Sequence, residues 1–206
     1  MKFFTVRTTR FRNAALLLAI TACASSQSID GSAPVVPTDR GETTVYLVRH
    51  AERSTDDPVD PNLSDAGYIR ADSLSNQLRE AGVNVIITTN LKRTIQTALP
   101  LARRRHITPE IVPVSKNTAD HIDSVVAAVR RHQGATILVV GHSNTIGHIA
   151  EKLGGDKVGD LCDNEYSDLI IVEMPKGKKT RMLVDSYGPP NPPGDGTCKM
   201  LMNRQE

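Results

Sequence analysis

The sequence predicts an α/β domain, a three-layer sandwich with a mainly parallel central sheet and helices on both faces. Two observations carry this expectation: from Thr43 onward short β-branched runs alternate with segments of helical apolar spacing, and only near the end do two such runs follow one another directly. Strands separated by helices pair in parallel, and a sheet covered on both faces reads as near-continuous apolar runs.

Residues 44–48 (TVYLV) form the first buried strand. Ser64 stands at the N-cap of a helix whose apolar positions include Ala71, Leu74, Leu78 and Ala81, with Gly82 at its end. Then come a strand over 85–88, a helix over about 91–105, a strand over 110–114 and a helix over about 120–132. A strand over 135–140 and a helix over 145–153 follow. The last two strands, 168–174 and 180–185, turn at Lys176, Gly177 and Lys178 and predict a hairpin at a sheet edge. The stretch 188–196 is so rich in Pro and Gly that it is neither helix nor central strand, and it is expected across the surface.

The start of the chain stands apart. Lys2, Arg7, Arg10 and Arg12 precede the apolar run 14–20, and residues 1–22 read as an export signal. Ile20, Thr21, Ala22 and Cys23 resemble the bacterial lipobox, which implies a lipid on Cys23 and a membrane reached through that anchor alone; Ala24 favours the outer membrane, facing the periplasm. A plain secretory signal, or a short N-terminal helix with a chance cysteine, is the alternative. Residues 23–41 then form the lipidated cysteine and a flexible tether rich in Ser, Gly and Pro, and 42–206 the folded domain. Residues 1–22 hold four basic and no acidic side chains, so the remainder has 21 basic against 23 acidic ones. A slightly acidic surface without a basic tract argues against nucleic acid as a partner. In an exported protein Cys162 and Cys198 are expected to form a disulfide. Neither cysteine nor any of the six histidines has zinc-site spacing, and no metal or cofactor is expected.

In open α/β sheets ligands bind beyond the carboxyl ends of the strands. Arg49 and His50 follow the first strand, Arg93 the second, and Gly141 and His142 the strand at 135–140. Parallel pairing would bring two guanidiniums and two imidazoles together, a set suited to phosphoryl transfer. A neutral imidazole supplies a nucleophile, Arg supplies a fork matching phosphate oxygens, and a protonated second imidazole can bind the same oxygens.

Residues 47–52 (LVRHAE) resemble the LVRHGE or LVRHAE signature of the histidine phosphatase (phosphoglycerate mutase-like) superfamily. Residues 63–71 resemble its LSxxGxxRA segment, 88–98 its S/T-x-x-x-R-x-x-Q-T-A segment, and 140–144 its second-histidine segment. The resemblance implies that Arg49, His50, Arg93 and His142 form a phosphate pocket in which His50 is transiently phosphorylated. It also implies an acid after the third strand to protonate the leaving group. Asp120 is the nearest candidate there, with an N-cap role as its alternative; Glu52, beside the nucleophile, is another. Arg53 is either a further phosphate contact or an exposed loop charge. Long cap-forming inserts are missing, so the pocket should be shallow, and the 51–63 loop with Asp56, Asp57 and Asp60 could border it and disfavour very anionic substrates. His106, His121, His132 and His148 receive no role. The expected activity is hydrolysis of a small phosphomonoester or of a phosphohistidine protein. The alternatives are a mutase-type phosphotransfer and a catalytically silent, lipid-anchored phosphate-binding module.

Overall fold

The structure is a computed structural model that describes residues 41–194. The export signal, Cys23, nearly all of the tether and Cys198 lie outside the described residues. Six strands and four helices alternate in the order β1 (Glu42–Arg49), α1 (Asp65–Gln77), β2 (Val85–Thr88), α2 (Lys92–Arg105), β3 (Glu110–Ile111), α3 (Thr118–Arg131), β4 (Thr136–Gly141), α4 (Ile146–Lys152), β5 (Asp168–Pro175) and β6 (Arg181–Ser186). The sheet order is β3-β2-β4-β1-β5-β6. β4 pairs in parallel with both β1 and β2, and β2 with β3, while β5 runs antiparallel to β1 and forms the expected hairpin with β6.

Side chains alternate across the sheet with period two, and each face buries its own set. Val45, Leu47, Ile137, Val139, Ile170 and Val172 pack with Ile122, Val125 and Val129 of α3 and with Ile146 and Ile149 of α4. Val48, Ile86, Leu138, Val140 and Leu169 face the other way, onto Leu74 of α1 and Ala98 and Leu101 of α2. The result is three layers, as predicted.

Element boundaries differ where local hydrogen bonding overrides periodicity. α1 ends at Gln77 rather than near Gly82, because Leu78 closes the helix and a turn follows, ending in Gly82 at φ 72°. β3 stops at Ile111: Val112 still donates to the Thr88 carbonyl at 2.8 Å, but Pro113 has no N–H to continue the ladder. α3 begins earlier than expected because Asn117, not Asp120, is its N-cap, its side chain accepting from Ala119 N at 3.0 Å. α2 ends in a left-handed residue, His106, at φ 54°.

The loop after β1 is clamped onto the helices below it. Ser64 N donates to the Glu52 carbonyl at 2.9 Å, and a Cβ at Gly67 would fall 2.1 Å from that same carbonyl oxygen, so only glycine fits there. Arg70, 1% exposed, donates from Nε and Nη2 to the Glu52 carboxylate at 2.7 to 3.0 Å. Its Nη1 donates to the carbonyls of Tyr187 and Pro189 at 3.2 and 2.8 Å, which draws the C-terminal stretch over α1.

Removing one partner of a buried, hydrogen-bonded pair leaves the other charge uncompensated, at a cost of about 3–5 kcal/mol. Arg70→Ala should therefore lower the unfolding free energy by about that amount, read from the urea midpoint at unchanged slope. A loss under about 1 kcal/mol would mean that the pair is dispensable.

Candidate active site

Parallel pairing aligns Arg49 with Gly141 and Thr88 with Val140, so β1, β2 and β4 end together. His50 N donates to the Gly141 carbonyl at 2.9 Å, which carries the register one residue past β1 and sets the two histidine-bearing loops side by side. The His50 and His142 rings meet edge to face with centroids 5.5 Å apart.

Each ring is oriented by its surroundings. His50 Nδ1 lies 2.8 Å from the carbonyl oxygen of Ala51. A carbonyl only accepts, so Nδ1 carries the hydrogen and the Nε2 lone pair is left for another partner. Ala51 N in turn donates to Thr97 Oγ1 at 2.9 Å, and Leu63 N to Gln96 Oε1 at 2.8 Å. Gln96 and Thr97, from the 88–98 segment, thus fix the loop that bears His50. His142 Nε2 lies 3.3 Å from Thr89 Oγ1, and His142 N donates to Thr145 Oγ1 at 3.0 Å.

Arg49 is 7% exposed. Its Nη1 donates to the carbonyls of Cys162, Asp163 and Glu165 at 2.9, 2.8 and 3.3 Å, and its guanidinium lies over the Tyr166 ring, 4.2 Å from the centroid. Arg49 Nε, and Nε and Nη1 of Arg93, are buried without a hydrogen-bond partner in the protein. Buried charged donors demand an acceptor, and three such N–H groups around two imidazoles describe an anion cradle. Burial pushes the Arg49 and Arg93 guanidiniums below their usual range, and the charge of Arg53 adds to the push in both cases. Arg53 itself is exposed and bridges to Leu63.

The same environment keeps protons off the imidazoles. Burial first, then His142, Arg49 and Arg93, bring His50 down to about 3, against the smaller upward effect of the Ala51 carbonyl. Burial, Arg93, His121 and Arg49 bring His142 down to about 3 as well. In the protein without a bound anion, burial first and the cradle's cations after it disfavour the proton that the sequence reading expects on His142 in the working site.

The two acid candidates are elsewhere engaged. Both Glu52 oxygens accept from Arg70. Asp120 is exposed in the first turn of α3, where an acid suits the helix N-terminus. Among the described residues no group of three or more His, Cys, Asp or Glu is placed to hold a metal ion, and no helix is long and apolar enough to cross a membrane. A neighbouring cavity of about 450 Å³, lined by residues that include Thr118, Ile122, Asn144, His148 and Lys152, contains none of the four cradle residues.

The sequence reading missed the wall opposite the strand ends. Tyr166 stacks on Arg49, and its ring centroid is 6.5 Å from that of His50. Behind it, Asn191 Oδ1 accepts from Tyr166 N and Ser167 N, both at 2.8 Å, and the buried Glu165 carboxylate accepts from Cys162 N. Cys162 is disulfide-bonded; the expected partner, Cys198, lies outside the described residues. His121, given no role from the sequence, is buried, donates from Nδ1 to the Pro113 carbonyl at 3.0 Å, and adds to the charge felt by His142.

A model of the histidine phosphatase superfamily (branch 1) matches residues 45–117. No curated protein matches the sequence. Among solved structures, a mycobacterial glucosyl-3-phosphoglycerate phosphatase is similar with a TM-score of 0.54 at 13% identity, covering 71% of this chain and 99% of that one. The protein histidine phosphatase SixA, solved with tungstate, is similar with a TM-score of 0.53 at 14% identity, covering 70% of this chain and 96% of that one. Residues 45–117 thus carry the sequence pattern of the histidine phosphatase superfamily, on the fold shared with phosphoglycerate mutase-like phosphatases.

Proposed function

We propose that the protein is an exported, lipid-anchored phosphatase that hydrolyses a phosphomonoester or a phosphohistidine through a phosphohistidine intermediate on His50, without a metal ion. The observation that carries this reading is the cradle: partnerless buried N–H groups of Arg49 and Arg93 beside a neutral His50 whose Nδ1–H is held by a carbonyl. The superfamily match and the two phosphatases of like fold support it.

His50 Nε2 attacks phosphorus while Arg49, Arg93 and His142 hold the equatorial oxygens, and water then releases phosphate from His50. An attacking imidazole that is already neutral needs no general base. A bound phosphate dianion supplies the negative charge that His142 lacks, and so draws a proton onto it; an expected neutral binder in the free protein becomes a cation in the complex.

His50→Ala should abolish turnover of both substrate classes, with the fold retained by circular dichroism. Quenching the wild-type protein with labelled substrate should trap an acid-labile, alkali-stable phosphate on His50. EDTA should leave the rate unchanged, and vanadate should inhibit. Full activity in His50→Ala would overturn the mechanism.

The two imidazoles also govern stability against pH. Unfolded histidine titrates near 6.5, whereas the folded protein holds both groups at about 3, so between these values the unfolded chain takes protons that the folded one refuses. Stability should be full above about pH 6.5 and fall toward pH 3, with each imidazole contributing a slope of up to about 1.4 kcal/mol per pH unit. Urea unfolding at pH 7 and pH 5 checks this: the double variant His50→Asn/His142→Asn should lose clearly less on acidification than wild type.

The anchor is read from the native N-terminal peptide by mass spectrometry, where a diacylglyceryl Cys23 is expected. An unmodified cysteine or cleavage at another site would remove the lipoprotein assignment.

A further inference from the structure

The loop between β1 and α1 brings one carboxylate to the cradle. Asp60 Oδ1 lies 3.9 Å from Arg93 Nη1 and accepts the N–H of Lys92, the first residue of α2, at 2.9 Å. Asp60 N donates to Asp57 Oδ1 at 3.1 Å, and Asp57 Oδ2 lies 3.7 Å from Lys92 Nζ. Backbone bonds on both sides of Asp60 thus pin its carboxylate, which is not a freely swinging surface charge.

Arg93 Nη1 is the nitrogen that Asp60 approaches, and it is one of the buried N–H groups without a hydrogen-bond partner. A phosphoryl oxygen bound there at about 3 Å would lie within about 7 Å of Asp60 Oδ1. Two anionic groups at that distance repel in a partly buried site unless positive charge lies between or beside them.

We propose that Asp60 is a specificity-determining residue that selects substrates whose leaving group is cationic, foremost a phosphorylated imidazolium, over phosphate dianions esterified to an uncharged leaving group. The proposal rests on the phosphatase reading and names the substrate class within it. In the first step the bond from His50 Nε2 to phosphorus forms as the bond from phosphorus to the leaving imidazole breaks. The electron pair of the broken bond stays on that nitrogen, the other ring nitrogen keeps its proton, and neutral imidazole departs with no proton transferred. Water then takes the phosphoryl group as dihydrogen phosphate and leaves His50 neutral. Positive charge passes from the leaving ring to the His50 ring, so a fixed carboxylate nearby favours binding of the cationic substrate.

Asp60→Asn tests the charge alone, because the side-chain oxygen can still accept from Lys92 N. We measure kcat/KM for a phosphohistidine peptide and for phenyl phosphate, with wild type and variant. The ratio of the two should fall roughly tenfold in the variant, through slower turnover of the peptide and faster turnover of phenyl phosphate. An equal change in both would make Asp60 structural, and a loss confined to phenyl phosphate would make it a proton donor; either result overturns the proposal. Calorimetry with inorganic phosphate gives an independent reading, with the variant expected to bind roughly tenfold more tightly. Unchanged or weaker binding also overturns it. If the wild-type protein turns over neither substrate, the phosphatase reading fails, and the phosphate titration still decides the role of the Asp60 charge.

Discussion

The site depends on how a buried guanidinium is satisfied. Arg49 gives its Nη1 hydrogens to three backbone carbonyls and rests its plane on Tyr166. Carbonyls meet the need for hydrogen-bond acceptors and bring no full negative charge, so the positive charge of Arg49 stays available to the pocket. Burial is the first cause that keeps protons off both imidazoles, and the charges of Arg49 and Arg93 add to it. Had Arg49 met a carboxylate in the manner of Arg70 and Glu52, its charge would have been cancelled and the pressure on His50 reduced. The two buried arginines show the two outcomes: Arg70 is paired and serves the fold, and Arg49 is left with surplus charge and serves the site.

This arrangement makes remote parts of the chain conditions for the site. The carbonyls that receive Arg49 converge only because the 162–166 turn is folded on itself, through Glu165 N donating to the Cys162 carbonyl at 3.0 Å and the Glu165 carboxylate accepting from Cys162 N. Asn191 holds the next two amides from outside. Arg70 reaches the same C-terminal stretch from α1. A Pro-rich stretch expected only to lie across the surface thus holds the turn that receives Arg49.

What could be read in the sequence follows from the range of the interactions involved. The three layers were legible because period-two burial is local to each strand, and the meeting of Arg49, His50, Arg93 and His142 was legible because each lies at a strand end or in the segment that follows it, and parallel pairing brings those ends together. Tyr166 and Asn191 were not, since each acts through contacts with residues far away in the chain and lies in a segment without periodicity. Asp60 was legible as a loop acid, but its place beside Arg93 depends on the Lys92 amide and on the folding of the loop around Asp57. The charge of His142 was not legible for the same reason: a motif gives the residue, whereas its charge depends on burial first and then on Arg93, His121 and Arg49, which come from separate elements.

The leaving group is the point at which these constraints meet. Glu52 has both oxygens committed to Arg70, and Asp120 is exposed on the first turn of α3, so neither stands as an acid free to meet a departing atom. An alkoxide leaving without a proton is a poor leaving group, whereas an imidazole nitrogen departs neutral when its ring already carries a proton. The attacking side needs no help, because burial and the surrounding cations keep His50 neutral; the departing side receives none from Glu52 or Asp120. On the proposed phosphatase reading, such a site would suit transfer between two nitrogens of like basicity with the least proton movement, a phosphorylated His50 being a bond of that kind.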